Sequence, residues 1–365
     1  MALQIGLVGL PNAGKSTLFN ALTRAHALVA PYPFTTIDPH VGVVAVPDPR
    51  LDALAKLIHP EKVTPTTLEV VDIAGLVKDA HKGEGLGNQF LGHIRNVDAI
   101  AMVARCFQHD DVPHVSGTLD PREDVAILEL ELSLADLETL DKRRTAVRTA
   151  SKVGKKEFAA ELDLLERAHK HLAEGHPART LALTDDERAH LKPLQLLTLK
   201  PLIYIANVGE GDMPSGGQLA AHITEIAKRA HAESLFVCAQ CEMDLGDWAD
   251  ADAAQYRKDL GVAEASLARV IRAAYKLLDL ITYFTATGGK ELRAWTLHRG
   301  ETALDAAGQV HTDMARGFIR AEAIRCETLL QIGSLATARE KGVMRVEGRE
   351  YVVQDGDLMH FRFAV

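Results

Sequence analysis

The sequence predicts an α/β protein on a mostly parallel sheet, interrupted by a helical hairpin and followed by a small strand-rich domain. Three observations carry this expectation. Short apolar runs of strand length alternate with helical spacings over residues 3–103 and again over 201–278. Between them, over 121–191, long charged segments hold almost no strand chemistry. Near the end, the polar turn Thr287-Gly288-Gly289-Lys290 separates two strand-like runs. The expected domains are 1–120 with 196–278, the hairpin 121–195, and 279–365.

Leu3-Gln4-Ile5-Gly6-Leu7-Val8 reads as the first strand, and Leu18, Ala21 and Leu22 give the next segment helical spacing. Between them, Gly9-Leu10-Pro11-Asn12-Ala13-Gly14-Lys15-Ser16 fits GxxxxGK[ST] without a mismatch. A strand, loop and helix in this order is the context a phosphate-cradling P-loop needs. The glycines let the backbone wrap a phosphate chain, the N–H groups face the anion, Lys15 reaches the terminal phosphates, and the Ser16 hydroxyl can ligate Mg²⁺.

The proline-rich stretch 30–39 suits a mobile, metal-sensing loop, and its Thr36 is a second Mg²⁺ candidate. Val41-Gly42-Val43-Val44-Ala45-Val46 and Thr67-Leu68-Glu69-Val70-Val71 read as strands, the second leading into Asp72-Ile73-Ala74-Gly75. Glycines among charges over 76–90 suit a flexible switch, before a helix over 88–96 and a strand over 99–103.

In the charged region Phe158, Leu162, Leu165 and Leu172 form a heptad-like, coiled-coil seam. Leu128-Glu129-Leu130-Glu131-Leu132 alternates like a strand, whereas Leu128, Leu132, Ala135 and Leu137 suit a helix. The absence of Gly and Pro over 123–149 favours the helix. Further strands are expected over 201–206 and 235–238, with helices over 218–230 and 264–278. Residues 351–361 read as strand, Asp-Gly turn, strand.

The net charge of −9 argues against a protein coated for nucleic acid, and no DNA partner is expected. No apolar run approaches the roughly 18 residues of a membrane helix, and the chain begins directly in a strand, so a cytoplasmic protein with no membrane partner is expected. The four cysteines suit a reducing compartment, and Cys238 with Cys241, an isolated CxxC, reads as core thiols.

With the loop above, Asp72-Ile73-Ala74-Gly75 and Asn207-Val208-Gly209-Glu210 in this order, the chain resembles the Obg-related branch of translation-factor GTPases, and more closely the YchF family of Obg-like ATPases. The likeness extends to Ala74-Gly75-Leu76-Val77-Lys78, Gly83-Glu84-Gly85-Leu86-Gly87-Asn88-Gln89-Phe90, Val103-Ala104-Arg105-Cys106-Phe107 and Ala294-Trp295-Thr296. The ending resembles a TGS module, a β-grasp-like domain also found in threonyl-tRNA synthetases. Asp79 departs from the small residue expected there, and Gly209 varies the base-reading loop.

A guanine site of this superfamily reads Asn-Lys-x-Asp, its aspartate accepting from the ring N–H and the exocyclic amine. Here Glu210 is one methylene longer and Lys is absent, so that geometry is lost. The resemblance implies ATP as substrate, contacted by Asn12, Ala13, Gly14, Lys15, Ser16, Thr17, Gly75, Asn207, Val208, Glu210 and Ala239. It implies Mg²⁺ on Ser16, Thr36 and Asp72, and K⁺ beside Asn12. Leu76 stands where a switch GTPase offers a water-orienting Gln, and the resemblance points instead to His114, with His81 its rival. It also implies association with the ribosome, through its large subunit and ribosomal RNA, as a switch in translation or stress regulation. Lys142, Arg143, Arg144, Arg148, Lys152, Lys155 and Lys156, with no acid among them, are the residues to meet phosphates. A ribosome-binding adaptor with nucleotide as a structural ligand, and a GTP switch, remain alternatives.

Overall fold

The computed structural model describes residues 3–26, 40–73, 86–109, 111–115, 117–151, 157–262 and 264–364. The chain runs β1 (Gln4–Val8), α1 (Lys15–His26), β2 (His40–Ala45), α2 (Pro49–Ile58), β3 (Lys62–Thr64), β4 (Thr67–Asp72), α3 (Leu86–Asn96) and β5 (Ala99–Cys106). Next come α4 (Pro121–Ser151), α5 (Glu157–Ala173), α6 (Asp185–Leu191), β6 (Leu202–Val208), α7 (Gly217–Arg229), β7 (Glu233–Val237), α8 (Ala239–Leu245), α9 (Asp250–Asp259) and α10 (Ser266–Leu277). The remainder holds β8 (Leu280–Thr287), β9 (Glu291–His298), α11 (Ala303–Val310), α12 (Thr312–Arg316), β10 (Phe318–Arg325), α13 (Cys326–Ile332), α14 (Leu335–Glu340), β11 (Arg345–Glu347) and β12 (Asp357–Phe363). Two units result, Met1–Val43 with Glu69–Val270, and Val44–Leu68 with Ile271–Val365.

In the first unit the sheet order is β2-β4-β1-β5-β6-β7. β1 runs parallel to β4 and β5, and β6 runs parallel to β5 and β7. Every residue of β5 and β6 is buried, which explains why they are apolar except for Arg105 and Asn207 near their ends: a parallel sheet is covered on both faces. The strand order reverses at β1, and ligands of such sheets bind beyond the carboxyl ends of the strands at that point. Gly9, Asp72, Phe107, Gly209 and Cys238 all lie at or just past those ends.

α4 resolves the ambiguity between strand and helix. Val125, Leu128, Leu132 and Ala135 pack into the core that holds Met102 and Tyr204, while Leu130 is 57% exposed. Farther along, Leu140 and Val147 pack with Leu164, Leu165, Ala168 and Leu172; of the seam read from the sequence, Leu165 and Leu172 are buried there, and Phe158 and Leu162 pack half-buried against it. The expected boundary at 121 is therefore not an edge, because one helix supplies both cores, and the first unit retains the hairpin. Asp136, fully buried on α4, accepts from Leu197 N, Thr198 N and Thr198 Oγ1 at 2.7–2.8 Å, fixing the helix to the segment that enters β6.

The second unit has a mixed sheet, in order β11-β10-β12-β8-β9-β3. β8 and β9 form the antiparallel pair that the Gly288-Gly289 turn predicts, and β12 lies parallel to β8. β10 is antiparallel to both β12 and β11. α11 and α12 cover one face around Tyr283 and Phe361; α2, α13 and α14 cover the other around Phe284 and Leu358.

Two expectations are corrected here. Residues 44–68, assigned from sequence to the α/β domain, belong to the second unit: Leu51 and Leu54 enter its core, and β3 pairs with β9. Residues 351–355 are not a strand, apart from a single bridge from Val352 to Thr302. Their polar groups are spent elsewhere: Gln354 N donates to Asp357, and the Asp355 carboxylate accepts from Thr282 N and Arg50. Among the described residues no helix is long and apolar enough to cross a membrane.

Candidate nucleotide site

The loop from β1 to α1 is shaped by two glycines and an asparagine. Gly9 passes so close to the Val103 carbonyl that a Cβ would collide with it. Gly14 has φ +85°, and its missing Cβ leaves room for the Asn207 side chain. Asn12 adopts φ 63°, a left-handed conformation that Asn tolerates best among side-chain-bearing residues.

Lys15 is 6% exposed, and its Nζ donates to Gly9 O and Leu10 O at 3.1 and 3.0 Å. Burial pushes its pKa down to about 8, partly opposed by the nearby Asp72 carboxylate. Ser16 Oγ donates to Asp72 Oδ2 at 2.7 Å. The other oxygen, Asp72 Oδ1, is buried with no hydrogen-bond partner among the described residues. Thr17 follows, half-buried, in the first turn of α1.

Asn207 ends its side chain in this loop. Its Nδ2 donates to Ala13 O at 3.0 Å and its Oδ1 accepts from Ala239 N at 3.1 Å, so three predicted residues meet at one carboxamide. Val208, buried, completes β6. Glu210 is exposed at the start of the following 3₁₀ turn, and its carboxylate accepts from the Tyr256 hydroxyl. That bond pushes the Tyr256 phenol up to about 12.

Arg105, Phe107 and Tyr256 were given no role from sequence. Arg105 is 4% exposed in β5 and donates to Phe107 O, Val112 O and Pro113 O at 3.2, 2.8 and 3.4 Å, with its guanidinium 4.8 Å over the Phe107 ring. Asn12 Nδ2 also donates to Pro113 O, at 3.2 Å, so the stretch before His114 is tied to the phosphate loop. A cation inside an otherwise apolar strand run was the signal available for Arg105. Tyr256 carried none, since its partner lies 46 residues away.

His114 is brought near this region, but its Nε2 lies 3.0 Å from Asp124 Oδ2, with side-chain exposures of 8% and 2%. Burial raises the Asp124 pKa, while the imidazole bond opposes that shift. Thr36, Gly75 and His81 lie outside the described residues. The four described members of the basic run are paired with acids: Lys142 with Glu138, Arg143 with Glu161, Arg144 with Asp141 and Arg148 with Glu166. Cys238 and Cys241 are free thiols, and no set of three His, Cys, Asp or Glu residues gathers to hold a metal among the described residues.

Residues 4–143 match the family model described as 50S ribosome-binding GTPase, and residues 280–364 match YchF-GTPase_C, described as a protein of unknown function. The chain is similar to the protein named Ribosome-binding ATPase YchF of Bacillus subtilis (strain 168), 49% identical over 367 residues, with 100% of each chain covered. It belongs to the YchF family. A YchF relative of the same name from Escherichia coli O157:H7 is 48% identical over 365 residues, again with 100% of each covered. The solved structure titled Schizosaccharomyces pombe YchF GTPase is similar at TM-score 0.88 and 34% identity, covering 99% of this chain and 97% of that one.

In this YchF chain an anion at the loop raises the Lys15 pKa from its depressed value. Polyphosphate binding should therefore take up protons increasingly as the pH rises from about 7 to 9. Calorimetry in buffers of different ionisation enthalpy measures this uptake, and Lys15→Arg should abolish it.

Proposed function

We propose that the chain binds ATP at the Asn207 corner, hydrolyses it, and acts at the ribosome as a nucleotide-dependent switch in the cytoplasm. The observation that carries the reading is Asn207, whose carboxamide joins the phosphate loop to Ala239 three residues before a glutamate. The names of the relatives divide between ATPase and GTPase, and the residues favour ATP. Val208 replaces the Lys of a guanine site and Glu210 its Asp; a site that depends on paired polar groups discriminates strongly when one partner is lost.

The residues fit Mg²⁺. One hydroxyl and one carboxylate beside substrate phosphates are a donor set magnesium accepts, and the unpartnered Asp72 Oδ1 adjoins the Ser16–Asp72 pair. Ser16 and Thr36 would hold the ion directly and Asp72 through water; bound, it neutralises charge on the phosphate oxygens. Lys15 exchanges its two carbonyl partners for the terminal phosphates, and Gly75, outside the described residues, is the residue we assign to sense the γ-phosphate. His114, aligned by Asp124, orients or deprotonates the attacking water, a task Leu76 cannot perform. For K⁺ we assign no step: Asn12, whose Nδ2 donates to Pro113 O, is its only expected ligand, and one carboxamide oxygen does not make a cation site.

The ribosomal partner we assign is the large subunit and its RNA, met by the basic run over 142–156. Exposed ion pairs are worth little, so phosphates can replace the carboxylates of Glu138, Glu161 and Glu166. We read the second unit as the TGS module, consistent with its mixed sheet and the parallel pair β8 and β12. The burial of the His114 side chain, 8% exposed, favours one second reading, an adaptor in which nucleotide is structural and hydrolysis incidental.

Calorimetric titration in Mg²⁺ should give ATP binding at least about tenfold tighter than GTP, and tighter GTP would contradict the reading. In single-turnover assays His114→Ala should slow hydrolysis by about 100-fold while ATP affinity is retained. An unchanged rate would remove His114 from catalysis.

A further inference from the structure

Guanine and adenine present opposite faces to a carboxylate. Guanine offers two donors, N1–H and the exocyclic amine; adenine offers its amine but an acceptor at N1. A carboxylate aimed into the base corner attracts guanine and repels adenine N1. In this protein the corner's carboxylate, Glu210, has a donor on α9, the Tyr256 hydroxyl.

We propose that Tyr256 is a positioning residue for base choice, holding Glu210 aside so that the corner admits adenine and offers guanine no acceptor; this deepens the ATP reading and rests on it. Both ends of the bond are fixed. Glu210 opens a 3₁₀ turn in which Asp212 N donates to Gly209 O at 3.2 Å and Met213 N to Glu210 O at 3.0 Å. On α9, the neighbouring Arg257 donates to Glu242 Oε2 at 3.0 Å, and the other oxygen of Glu242 accepts from Ser266 N at 2.7 Å. Glu242 is 5% exposed on α8, the helix that begins at Ala239, so the base corner and Tyr256 are set by the same local framework. Trp248 packs on the Tyr256 ring with centroids 5.4 Å apart. The phenol remains protonated at neutral pH, since its pKa is raised, and so it stays a donor.

Guanine can use Glu210 only by displacing the phenol, and adenine benefits from that bond's persistence. Tyr256→Phe keeps the ring against Trp248 and deletes only the donor. With the full chain and Mg²⁺, competition titration should show the GTP-to-ATP affinity ratio rising by about tenfold in Tyr256→Phe. Adding Glu210→Gln should cancel the rise, because the effect passes through that carboxylate. A ratio unmoved by Tyr256→Phe, or a rise that persists with Glu210→Gln, overturns the proposal while leaving the ATP reading intact. A wild-type preference for GTP would instead overturn the ATP reading itself.

Discussion

Among the described residues, Asn207 is the side chain that joins the phosphate loop to the Ala239 corner. It is 4% exposed at the end of β6, where a group able both to donate and to accept is required: Ala13 offers only a carbonyl there, and Ala239 only an N–H. Losing it would leave two buried backbone groups unpaired, each costing about 1–3 kcal/mol. Gly14 is bound by the same constraint from the other side, since the carboxamide occupies the space its side chain would need. Phosphate loop and base corner are thus one assembly.

Around that joint, buried cations are satisfied by backbone carbonyls. Lys15 rests on Gly9 and Leu10, and Arg105 on Phe107, Val112 and Pro113. Each group is hydrogen-bonded to carbonyls and not to a carboxylate, although Asp72 lies near Lys15, so positive potential remains where a polyphosphate would arrive. The lowered pKa of Lys15 records the cost of that arrangement. Glu210 adds a negative group whose carboxylate is engaged by the Tyr256 hydroxyl.

How much of this was legible depends on range. The strand, loop and helix of the phosphate site are contiguous, and their periodicities read directly. The spacing of the apolar residues left α4 ambiguous, and it was legible as a helix because no Gly or Pro interrupts 123–149; Leu130, which only the strand alternation would bury, is exposed. Residues 44–68 carried a local signal for α2, with Asp48 capping before Pro49 and apolar Leu51, Leu54 and Ala55. Their membership of a unit beginning again at 271 did not, because it rests on pairing with β9 more than two hundred residues away. The 351–355 stretch misled through its β-branched residues, whose backbone is diverted by Asp357 and Glu301. Asn207 and Ala239 were legible only through family likeness; the bond that unites them spans 32 residues of sequence and leaves no local trace.

The central claim is that Asn207 makes the phosphate loop and the Ala239 corner one mechanical unit. Amide hydrogen exchange on nucleotide-free Asn207→Ala tests it most directly. The account predicts faster exchange at Ala239 and, together with it, over residues 13–16, by about fivefold or more, while amides within β5 and β6 stay protected. Acceleration confined to one of the two loops, or to neither, would contradict it.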